Sequence, residues 1–166
     1  MSIQEGNEGE WHVAEWPPLA WLETSIKAIA LALGIAAAVQ ALSGGGFKLP
    51  GGLRLAQLIV QGVLALGLVA AIFDRLAERE IVAMIFVIFN NLGHWSMVLA
   101  LASEVGPGRL LFGFAGLMLL GDLVKLAFLV SHPAFTVRDT PRAALYGLTL
   151  LYVVGYTAIL VFEILR

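Results

Sequence analysis

Along most of this chain apolar residues run on with neither the alternation of a strand nor the single narrow stripe of a soluble helix. The breaks between runs are short and rich in glycine, proline or charge. Five runs, each near the ~20 residues a helix needs to cross a bilayer core, fall at about 19–42, 53–73, 79–103, 107–131 and 142–165. The intervening stretches are Ser43 to Gly52, with its glycine triplet, the charged Asp74 to Glu80, Glu104 to Gly108, and Pro133 to Pro141. The pattern predicts an all-α, polytopic membrane protein, an up-down bundle of about five transmembrane helices. Short connections predict that successive helices are antiparallel neighbours. A transmembrane barrel would need period-two alternation, which these runs lack.

Residues 1–18 read differently. Glu5, Glu8, Glu10 and Glu15 are unaccompanied by Lys or Arg, so the segment lacks the basic start of a cleaved signal peptide. It reads as an acidic, Trp-containing tail or interfacial segment, followed by one membrane domain over 19–166. Trp11, Trp16 and Trp21 around Pro17 and Pro18 suit a headgroup-level aromatic anchor.

Composition sharpens this picture. The chain is 60% hydrophobic and 13% charged, far from the roughly one-quarter charged content of a soluble domain. The surplus apolar surface has to face lipid, and the bilayer is the first expected partner. A net charge of -2 provides no footprint for nucleic acid. Without any cysteine there can be no disulfide, thiolate nucleophile or cysteine-ligated metal. Lys and Arg divide evenly between the two sets of loops: Arg75, Arg79, Arg138 and Arg142 against Lys48, Arg54, Arg109 and Arg166. The positive-inside rule therefore assigns no orientation.

The candidate chemistry lies where polar residues interrupt the third and fourth runs. Asn90, Asn91 and His94 interrupt one, Asp122 and Lys125 the other. Ionisable groups inside a membrane are costly and mark functional sites or paired structural ones. Counting residues from the turns puts Gln61, Asn90, Asn91, Asp122 and Tyr152 in one expected layer near the midplane. Asp122 and Lys125, three apart, can pair on their own helix. In a functional reading Asp122 is a proton or cation site and Lys125 its counter-charge. His94 reads as a hydrogen-bonded histidine held by Asn90 or Gln61. A haem between two histidines does not fit, because His132 lies about 39 Å from the Gly106 turn and His94 about 18 Å. The cofactor is unknown, with ligation by His94 alone left open, and no catalytic or metal-ligating set is visible. Glu23 and Lys27 read as an interfacial pair with Lys27 reaching toward water.

The first run carries two small-residue rows, Ala28-Ala32-Ala36 and Ala30-Gly34-Ala38, that let a second backbone approach closely. One row suffices for an intramolecular neighbour. The other is expected to meet another chain. Two function classes follow: a non-catalytic accessory subunit of a larger membrane complex, and a small transporter or proton-conducting protein centred on the polar layer. A membrane enzyme or quinone- or lipid-binding protein using His94 and Tyr152 ranks third. The size and span number match those of translocator proteins, but their Trp- and Pro-rich helical signatures are absent, so no family resemblance is carried over.

Overall fold

A computed structural model describes residues 16–77, 81–135 and 140–166. They form five helices, α1 (Pro18–Ser43), α2 (Gly52–Ala77), α3 (Ile81–Leu101), α4 (Gly108–Ser131) and α5 (Arg142–Leu165). All five are long and apolar enough to cross a membrane. Of the most apolar stretch of each span no more than 39% is buried within the bundle, so the rest faces outward, where only lipid favours it. Ile29, Val39, Ile59, Leu66, Val130 and Val154 lie on that outer surface. The chain is a multi-pass integral membrane protein.

Backbone chemistry sets the ends. Pro17 is extended and Pro18 occupies the first helical turn of α1, where a missing N–H costs nothing. Gly44 closes α1 by donating to the carbonyls of Gln40 and Ala41. Gly45, Gly52 and Gly108 adopt positive φ at the turns into α2 and α4. The last carbonyls of α4 are gathered by Arg142. Its guanidinium donates to Leu129 O at 2.9 Å and also to the Pro133 carbonyl. Helix α2 continues to Ala77, through part of the charged stretch expected as a turn. Trp16 packs on Trp21 and on Phe86 of α3, with ring centroids 5.4 and 5.0 Å apart. Trp11 and the acidic tail lie outside the described residues.

The helices close into a ring. α1 packs on α4 and α3, α2 on α3 and α5, and α4 on α5. This corrects one expectation: α1 and α2, and likewise α3 and α4, are joined by short loops yet make no substantial contact. With five members alternating in direction, one neighbouring pair in the ring has to be parallel, and that pair is α1–α3. Parallel helices lack the favourable alignment of opposed dipoles, and here they meet at glycine. A Cβ on Gly34 would lie 3.0 Å from the Gly93 carbonyl oxygen, and one on Gly93 3.4 Å from the Leu31 backbone. The row Ala30-Gly34-Ala38 is thus consumed inside the chain, whereas Ala28, Ala32 and Ala36 are exposed.

The ring has two distinct ends. At one, the loops after α1 and α3 clasp each other: Phe47 pairs with Ser103, Lys48 N donates to Ala102 O and Glu104 N to Gly46 O, both at 3.0 Å. We call this the clasp face, and the opposite end, where α1, α3 and α5 begin, the tail face.

Candidate functional site

The polar side chains that the sequence scattered over five runs converge on the inside of this ring. They fall into two tiers, not one layer. The tier nearer the tail face is ionic. Lys27 Nζ donates to Asp122 Oδ1 at 2.7 Å and to Glu23 Oε1 at 2.8 Å. Two expectations are corrected here. The partner of Asp122 is Lys27 of α1, not Lys125 of its own helix, and Lys27 turns inward, not toward water. Depth explains the pairing. Lys27 is nine residues after Pro18 and Asp122 nine before Ser131, so both sit about 13.5 Å from the tail face. Gly121 completes the fit, because a Cβ there would lie 3.0 Å from Lys27 Cγ. The lysine stem lies in the groove that this glycine leaves on α4.

Beside the ion pair is a cavity of about 40 Å³, room for one to three water molecules. Lys27, Asn90, Asp122, Lys125, Thr149 and Tyr152 line it, with Leu68, Met118 and Leu148. Asp122 is almost fully buried, and its Oδ2 has no hydrogen-bond partner among the described residues. Glu23, Lys27, Asp122 and Lys125 sum to zero charge when all are ionised, which is how a bilayer accommodates four such groups within two helices.

The second tier lies deeper, around a fully buried His94. His94 Nδ1 lies 2.9 Å from the backbone carbonyl of Asn90. A carbonyl can only accept, so Nδ1 carries the proton and Nε2 presents a lone pair. The Tyr156 hydroxyl donates to that Nε2. Phe114 and Tyr152 box the imidazole edge-on, at centroid distances of 6.0 and 5.7 Å. Tyr152 spans both tiers: it lines the cavity, and its hydroxyl donates to Leu64 O at 2.7 Å. Gln61 belongs to the deeper tier, its Nε2 donating to the His94 carbonyl at 3.4 Å. At the depth of Asp122 the α2 residue is Leu68, seven positions further on.

The structure therefore brings together Asn90, Asp122, Lys125 and Tyr152 at the cavity, and Gln61 with His94 one step deeper. Asn91 is buried near them, with its Oδ1 unpartnered among the described residues, but does not line the cavity. Sequence reasoning missed Glu23, Lys27, Gln57, Thr149 and Tyr156 as members of this set. The depth count that placed Asp122 would have found Lys27, and helical spacing would have found Tyr156, four residues after Tyr152, and Gln57, four before Gln61. Among the described residues no group of three His, Asp or Glu side chains could hold a metal ion. Comparisons with family models, with curated proteins and with solved structures each found no match to this chain.

Proposed function

We propose that this protein carries protons across its membrane, with Asp122 as the loading group and Lys27 as the counter-charge. One observation carries the reading: a carboxylate buried in the membrane has one oxygen in an ion pair and the other without a partner among the described residues, beside a cavity of water size. A purely structural ion pair is best served by satisfying every lone pair, because an unsatisfied buried acceptor costs roughly 1–3 kcal/mol. A carboxyl that must take up and release a proton needs one oxygen facing water. Lys125, three residues on, supplies a second positive charge at the same cavity.

The test is reconstitution into liposomes with an enclosed pH dye and an imposed potassium diffusion potential. Acidification should exceed that of empty vesicles at least tenfold and fall to their level in Asp122→Asn. Wild-type flux no greater than that of empty vesicles, or equal flux in a folded Asp122→Asn variant, refutes it.

A second reading, an accessory subunit in a larger membrane assembly, is favoured by the outward row Ala28-Ala32-Ala36, which is exposed among the described residues. Gentle extraction and native mass separate the two readings. Stable co-purifying chains, lost on Ala32→Leu, support the subunit. A homogeneous monomer counts against it.

A further inference from the structure

The cavity beside Asp122 is not placed symmetrically in the bundle. Counted from the tail face, Lys125 and Leu148 lie about 9 Å deep, Thr149 about 10 Å, and Lys27, Asn90 and Asp122 about 13.5 Å. All six line the cavity. Leu148 is exposed and Lys125 and Asn90 are partly exposed, whereas Asp122 is buried. The lining thus runs from an accessible rim to a sheltered carboxylate. Among the described residues nothing accepts a hydrogen bond from the three donors of the Lys125 ammonium, so water does. An ammonium at this depth draws water in with it.

On the clasp side of Asp122 the interior closes. His94, Tyr156 and Phe114, about 19.5, 21 and 25.5 Å from the tail face, are fully buried and in mutual ring contact. Two close approaches tighten the bundle around these rings. Gly34 of α1 meets Gly93 of α3, and a Cβ on Gly155 of α5 would lie 3.0 Å from the Leu64 side chain of α2. Further on, Met97, Ala100, Leu101 and Leu111 fill the space between the helices and are buried to 1% exposure or less. Apolar side chains packed to the density of an interior leave water no passage.

We infer that Asp122 meets water from the tail face, through a blind vestibule with Lys125 at its mouth and the rings of His94, Phe114 and Tyr156 as its floor. The inference rests on the proton-carrying reading above and adds the side from which the carboxyl is loaded. Release toward the clasp face then requires the ring layer to part, and the structure is the tail-open state of the protein.

The chain contains no cysteine, so single thiols can be introduced without background. The full chain is treated with a charged, membrane-impermeant methanethiosulfonate from either side, in spheroplasts and in inverted vesicles of the expressing cells. Ala134→Cys, in the α4–α5 loop, reports the tail face, and Leu49→Cys, in the α1–α2 loop, the clasp face; both positions are exposed. Lys125→Cys and Thr149→Cys probe the vestibule, the second being close to isosteric in case the first fails to fold. Gln61→Cys, about 24 Å from the tail face, probes beyond the floor. At least one vestibule thiol should react tenfold or more faster from the side that labels Ala134→Cys, and Gln61→Cys should resist from that side. Three results overturn the vestibule: equal or faster reaction of its thiols from the Leu49 side, no reaction of either from the tail side, or ready tail-side labelling of a folded Gln61→Cys. Labelling reads access and not flux, which separates the two readings. Sided labelling in a protein that carries no protons sinks the proton-carrying reading and keeps the vestibule, whereas flux without sided labelling does the reverse.

Discussion

Replacing Lys27 with Met is the sharpest probe of how the bundle holds together. The thioether fills the space of the lysine stem along Gly121 but removes the charge that meets Asp122 at 2.7 Å and Glu23 at 2.8 Å. Coulomb's law at an effective dielectric of 20 assigns each such contact about 6 kcal/mol before desolvation is subtracted. The side chains of Lys27 and Asp122 are only 14% and 4% exposed, so solvent screens little of it. Removing one partner of a buried pair costs about 3–5 kcal/mol in practice. The expected result is therefore a loss of about 3–5 kcal/mol. Reversible unfolding in mixed micelles, followed by circular dichroism, measures it. Adding Asp122→Asn to Lys27→Met should recover most of the loss. A Lys27→Met cost below 1 kcal/mol, or a double variant that is merely additive, would refute the ion pair as the link between α1 and α4.

Two further predictions concern packing and the deeper tier. Gly34→Leu drives a side chain against the Gly93 carbonyl and Phe114, and should cost at least the ~1–3 kcal/mol of an overpacked core, whereas the outward-facing Ala32→Leu should leave stability within 0.5 kcal/mol. Thermal unfolding of the two variants side by side checks the assignment, and equal effects would contradict it. Tyr156→Phe removes the hydroxyl that reaches His94 Nε2 and should destabilise by about 1–3 kcal/mol with the helix content unchanged. The same variant should shift the His94 ring nitrogen signal in NMR, and an unshifted signal would show that Nε2 has another partner.

How much of this was legible in the chain depends on the range of the interaction concerned. The five spans, their ends within a few residues, and the membrane as solvent follow from local properties. Runs of apolar residues longer than a bilayer needs, closed by Gly, Pro and charge, leave the backbone no alternative to helices. The polar residues of α3 and α4 could be singled out for the same reason, since each contradicts its local surroundings. Which partners they take could not be read this way. Lys27 looked like the outer half of an interfacial pair because Glu23 stands four residues away. Only the packing of α1 on α4, with Gly121 opening a groove, turned its stem inward to Asp122. Likewise the one layer expected from counting became two tiers because α2 runs on to Ala77, sixteen residues after Gln61 but nine after Leu68, which brings Leu68, not Gln61, level with the cavity. The ring order was equally beyond the sequence: an odd ring forces one parallel contact, and the choice of α1 and α3 for it depends on Gly34 meeting Gly93 across a distance of 59 residues. The sequence alone therefore determined which segments cross the membrane and which side chains are too polar to face it. Pair identity, tier and ring order were decided only when helices far apart in sequence came into contact, because depth and facing direction are properties of the assembled bundle.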